Sequence, residues 1–131
     1  MFASEVVAAL VAREVQTYQR THPASAKLAQ LSARHWQGGV PFQWMRDWAL
    51  PFPLFVSSAR GATLADVDGN SYDDFCLGDT GAMFGHSPPP VARALAAQAA
   101  QGLTAMLAGE RVAAVGAALA ARFGLPCWQL T

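Results

Sequence analysis

The chain has 131 residues, nine Lys and Arg against nine Asp and Glu, a net charge of zero, and only 14% charged residues. A neutral chain without a basic stretch argues against nucleic acid and against an acidic membrane as partners. The length predicts one domain with enough chain to bury a core, and a charge content below the globular average of about 25% leaves apolar surface for a partner.

The N-terminal apolar run follows Glu5 and lacks a basic flank, so it is not read as a signal peptide. Val7, Val11, Glu14 or Val15, and Tyr18 recur at helical spacing and predict a helix from Ala3 to Arg20. A second helix is expected from the Thr21-His22-Pro23 start, with Thr21 or His22 as cap. Leu28, Leu31 and His35 share its face, and Gly38, free to take a positive φ, is expected to end it. Residues 1–38 form this helical segment.

Residues 39–53 hold three prolines and two tryptophans, which predicts an irregular, extended segment whose aromatics lie against something. Residues 54–86 switch to short strands and a glycine loop. LFVSSA, ATLADV and NSYDDFCL read as three antiparallel strands in a meander. Arg60-Gly61 and Asp68-Gly69 supply the turns, the latter as type I′.

Residues 87–131 return to helices. SPPP opens one, with Val91, Leu95 and Ala99 on its face and Gly102 as its stop. Glu110 to Phe123 is the last, ended by Gly124 and Pro126. CWQLT reads as the opening of a buried strand. The charge-free window from Ala94 to Gly109 is too short and too diluted for a membrane span. Cys76 and Cys127 have no CxxC spacing and read as reduced, buried thiols of a cytoplasmic protein. The fold class is therefore α+β: helices, a three-stranded antiparallel meander, then helices.

The stretch GATLADVDGNSYDDFCLGDTGAMFGH carries the densest pattern. A calcium loop fails on spacing, because glycine follows Asp66 and Asp68 too early for an EF-hand. A hairpin turn explains Asp68-Gly69 without a metal. Gly78, Gly81 and Gly85 are not GxGxxG, and no Gly-Lys-Ser/Thr ending marks a P-loop. Asp73 and Asp74 are adjacent in a predicted strand and cannot act as a pair on one face. His86 is read as a hydrogen-bonding structural residue. Trp44, Arg46 and Trp48 offer either a cation–π cluster, a carboxylate clamp or plain packing. Lys27, the single lysine, falls on an exposed helix.

In order, these features resemble the N-terminal part of class III pyridoxal-phosphate (PLP) aminotransferases, near glutamate-1-semialdehyde aminotransferase (aminomutase). The residues that carry the resemblance are Asp66, Asp68, Gly69, Tyr72 and Asp74 in the hairpin, then Gly85, His86 and Pro88. The Gly38-Gly39 pair matches the family's preceding turn, with Gln37 where a proline is expected. The resemblance implies the N-terminal part of a fold-type I PLP-dependent transferase, usually a homodimer acting on a small amino substrate. It implies that Asp79, Thr80, Gly81 and Met83 lie on the substrate-facing loop, with Trp44 and Arg46 helping to hold a substrate carboxylate. Family members often carry an aromatic near the position of Thr80, which favours plain transamination over semialdehyde mutase chemistry. The PLP-binding lysine, aspartate and phosphate loop of the family have no match in this chain, which is expected to be inactive alone. No metal is implied. The alternative is a complete small α+β module that binds or dimerises without catalysis.

Overall fold

A computed structural model describes residues 4–130. The chain divides into two compact units, Met1–Pro89 and Pro90–Thr131.

The first unit opens with helix α1, Ser4–Thr21. Glu5 in its first turn and Arg20 in its last both suit the helix dipole. The Thr21 hydroxyl ends it by donating to the carbonyls of Thr17 (2.9 Å) and Tyr18 (3.3 Å). His22 breaks the helical path, and Pro23 starts helix α2, Pro23–Ser32. His22 takes the N-cap position of α2, one of the two expected, but its side chain makes no capping hydrogen bond. The cap comes from the hairpin: Asp68 accepts hydrogen bonds from the backbone N–H of Ala24 (2.6 Å) and Ser25 (3.0 Å). A carboxylate there satisfies two orphan donors and faces the positive end of the helix.

Helix α2 stops at Ser32, short of Gly38, so His35 is not on its face. The chain unwinds through turns in which His35 and Trp36 both donate to the Ser32 carbonyl. Gly38 and Gly39 then take φ of 73° and 79°. Gly39 is buried against α2, where an added Cβ would meet the Ala29 carbonyl at 3.6 Å. The aromatic segment contains one 3-10 turn, Gln43–Arg46, and is otherwise irregular. Phe52 packs on Tyr18 and accepts its hydroxyl proton through its carbonyl (3.1 Å). Trp44 and Trp48 remain 52% and 62% exposed, so this chain does not supply the surface expected to cover them.

Three short strands follow: β1 Val56–Arg60, β2 Thr63–Asp66 and β3 Ser71–Asp73, in the antiparallel order β1-β2-β3. The meander is as expected, but β1 and β3 are shorter than LFVSSA and NSYDDFCL. β1 carries a bulge at Ser57, whose hydroxyl donates to the carbonyls of Ala65 and Asp66. The first turn sits one residue later than expected, at Gly61-Ala62, since Arg60 pairs with Thr63. The second is not type I′. Asp68 keeps a negative φ and only Gly69 is positive (86°), as in a three-residue loop with a glycine bulge. β3 ends at Asp73; the Asp74 N–H still donates to the Ala62 carbonyl (2.8 Å), and its side chain then accepts from the backbone N–H of Cys76 and Leu77.

In the second unit, helices α3, Pro89–Ala99, and α4, Val112–Phe123, are described. α3 ends at Ala99, before Gly102, and α4 starts two residues after Glu110. Gly124 closes α4 with φ 72° and an N–H to the Ala120 carbonyl. CWQL forms no strand, because a strand needs a ladder partner and no described residue offers one. Instead Trp128 packs on Phe123 and donates to the Leu125 carbonyl (3.0 Å). Thr131, the last residue of that expected strand, lies outside the described residues. No described helix is long and apolar enough to cross a membrane.

The core expected from length and composition is not built. Among the described residues Val40 is the one buried hydrophobic side chain, at 7% exposure. Polar groups occupy the interior instead. Asp66, 2% exposed, accepts from the backbone N–H of Asp68 (2.9 Å) and Asn70 (2.8 Å), from the Asn70 amide (2.9 Å) and from the Tyr72 hydroxyl (2.7 Å). The ring of buried His22 stacks on Tyr18, and its Nε2 lies 2.6 Å from the Tyr72 hydroxyl and 3.4 Å from Asp66. The Asn70 amide also reaches the Thr21 carbonyl (3.2 Å). This network joins the end of α1 to the hairpin.

Burial pushes the Asp66 carboxyl up, but the hydrogen bonds from Asn70, Tyr72 and Asp68 outweigh it and hold it at about 2, below its ordinary 3.8. Tyr72 moves the other way, to about 12, through burial and the Asp66 charge. A depressed carboxyl stabilises the fold above its unfolded value and loses that contribution as pH falls through the folded one. Stability to denaturant should therefore drop between pH about 4 and about 2. Asp66→Asn should lower the midpoint near neutrality and flatten this acid limb. An acid limb unchanged in the variant would contradict the assignment.

Candidate functional site

Asp79, Thr80, Gly81 and Met83 fall together on one exposed loop between β3 and α3. Asp74 fixes its entry. Its Oδ1 accepts from the backbone N–H of Cys76 and Leu77, both 2.9 Å, and its Oδ2 lies 2.6 Å from His86 Nε2. The hydrogen bond from His86 is the main reason the Asp74 carboxyl lies below its ordinary range; the Leu77 and Cys76 amides help, and burial opposes them. His86 thus has the hydrogen-bonding role expected from sequence. That Asp74 is its partner was not visible there, twelve residues away.

The loop exit is pinned through the backbone. Gly61 and His86 exchange both hydrogen bonds, 3.0 and 2.7 Å. Gly85, at φ 83°, lets the chains approach: an added Cβ would sit 3.0 Å from Gly61 Cα. Inside the loop Leu77, Gly78 and Asp79 all take positive φ, 50°, 59° and 57°. Cys76 is exposed, with its Sγ 3.7 Å from Asp79 Oδ1, and Cys127 is exposed too. Neither is the buried thiol expected, because no apolar layer covers them.

Trp44 and Arg46 lie on the 3-10 turn after the double glycine. Trp44 stacks on Phe42 with ring centroids 5.9 Å apart. Arg46 lies over Gly38, where a Cβ would meet its Cδ and Nε. A cavity of about 270 Å³ lies elsewhere in the same unit, between Glu14, Tyr18 and His22 on one side and Ala49 to Pro51 on the other. Among the described residues no His, Cys, Asp or Glu cluster could hold a metal, and Asp66 and Asp68 spend their oxygens on backbone and side-chain donors. Lys27 is exposed on α2, as expected.

No family model matches the chain. A glutamate-1-semialdehyde 2,1-aminomutase from Thermoplasma volcanium is 40% identical over 82 residues, 61% of this chain and 19% of that protein. The crystal structure of a glutamate-1-semialdehyde aminomutase from Pseudomonas aeruginosa, in complex with PMP, superposes with a TM-score of 0.86 at 50% identity. That match covers 94% of this chain and 27% of the other. By sequence and by fold the chain matches the N-terminal part of class III PLP aminotransferases. A β-phenylalanine aminotransferase from Variovorax paradoxus agrees at 25% identity and TM-score 0.73, over 87% of this chain and 26% of the other. The chain spans about a fifth to a quarter of the length of these aminotransferase relatives.

The two glycines that meet at the aminotransferase-like hairpin should respond differently to alanine. Gly61→Ala, with open space around its Cβ, should cost only the αL penalty of about 1–2 kcal/mol. Gly85→Ala should cost more and expose the His86 amide, because its Cβ meets backbone that cannot yield. Equal losses, or a protected His86 amide in Gly85→Ala, would contradict the close approach. Denaturant midpoints and amide exchange measure both.

Proposed function

We propose that this chain is the N-terminal part of a PLP-dependent aminotransferase or aminomutase that acts on an amino acid or amino-aldehyde. The match to the Pseudomonas aeruginosa aminomutase, 50% identity over 94% of the chain, carries this reading. Bound PLP supplies an electron sink for amino-group transfer. The lysine and phosphate cradle that hold it come from chain beyond these residues, and the 131 residues alone are inactive.

The chain's own contribution is one wall of the substrate site. Asp79, Thr80, Gly81 and Met83 present a polar and partly apolar loop to the substrate. Trp44 and Arg46 offer a flat apolar face and a guanidinium that suits a carboxylate. The exposed aromatics and the nearly absent apolar core support a second body covering this surface. The working protein is a cytoplasmic homodimer, a setting that suits two unpaired thiols.

The protein from its native source tests this. The proposal predicts an intact mass several times 13.9 kDa, a visible absorbance from bound PLP that borohydride bleaches, and amino transfer to a keto acid. A mass near 13.9 kDa, colourless with added PLP, would overturn it in favour of a complete small binding or dimerisation module.

A further inference from the structure

We infer that Asp74 and His86 are positioning residues that set the place of the substrate-facing loop; this rests on the proposal above that Asp79, Thr80, Gly81 and Met83 face the substrate. The loop has no regular structure between β3 and α3. Its internal hydrogen bonds, Gly81 to Gly78, Ala82 to Leu77 and Gly85 to Ala82, give it shape but attach it to nothing. Apolar packing does not attach it either, since Phe75 and Phe84 are 96% and 92% exposed.

Attachment comes from one carboxylate and one backbone pair. Asp74 holds the entry through Cys76 and Leu77 and the exit through His86, whose backbone is paired to the β1–β2 turn at Gly61. The run of three left-handed residues needs such a clamp. Glycine takes this conformation freely, whereas Leu77 and Asp79 hold it at a cost and keep it only where the surroundings over-determine it. Asp74 bonds directly to the Leu77 amide, so it enforces the first strained residue. Asp79 and Thr80 follow at once. Loss of the clamp should let the loop relax and move the groups proposed to meet substrate.

The test uses the full-length, PLP-loaded enzyme and the variants His86→Ala, Asp74→Asn and His86→Gln. With His86→Ala and Asp74→Asn, KM for the amino substrate should rise about tenfold while kcat and PLP content change little, because misplacement of a binding group is felt first in substrate affinity. His86→Gln, whose amide can replace Nε2 as donor, should recover most of the loss. Amide exchange at Cys76 and Leu77 in the 131-residue chain should accelerate in His86→Ala and return in His86→Gln. Wild-type KM in the variants would overturn the inference, as would parallel loss of kcat, PLP and KM without rescue by glutamine. Failure of the wild-type enzyme to bind PLP or transfer an amino group would instead overturn the proposed function, and the positioning role with it.

Discussion

Two carboxylates of one hairpin, Asp66 at the end of β2 and Asp68 in the turn after it, hold the first unit together. Asp68 caps α2 from 44 residues away in sequence, and Asp66 gathers the hairpin loop, Tyr72 and the His22 region onto itself. With Val40 the one buried hydrophobic residue among those described, apolar burial cannot do this work. Hydrogen bonds to charged groups contribute more than neutral ones, about 1.5–3 kcal/mol each, and a buried carboxylate left unpaired costs several times a lost contact. The hairpin and the helix junction therefore stand or fall as one unit.

The same device recurs one turn further along. Just past β3, Asp74 draws the Cys76 and Leu77 backbone donors to its side chain and reaches His86 at the far end of the loop. A carboxylate that follows a strand and closes a loop gives a short platform without a packed core. Such a platform suits a surface that other parts of an aminotransferase cover, and it leaves the loop from Phe75 to Gly85 facing outward.

Much of this was legible in the sequence for local reasons. The Asp-x-Asp-Gly turn, the proline-led helices and the Gly124 stop depend on residues within a few positions of one another. The meander and the order of elements followed from them, as did the family resemblance. What was not legible depended on distant partners. Asp68 reads as a turn residue until Ala24 and Ser25 are beside it. Asp74 reads as a strand residue until Cys76, Leu77 and His86 claim its oxygens. The type I′ expectation failed because Asp68, bound to a helix end, keeps a negative φ. The aromatic segment, the thiols and CWQL were expected to be buried on composition alone, but burial needs an opposing surface. Trp44 and Arg46 share one 3-10 turn.

Amide hydrogen exchange at Ala24 and Ser25 probes the link between hairpin and helices most directly. If Asp68 caps α2, Asp68→Ala should expose both amides while those in the middle of α2 stay protected longer. Unchanged protection at Ala24 and Ser25 in Asp68→Ala would mean that the helix junction is held by something else, and the carboxylate-centred description of the unit would be wrong.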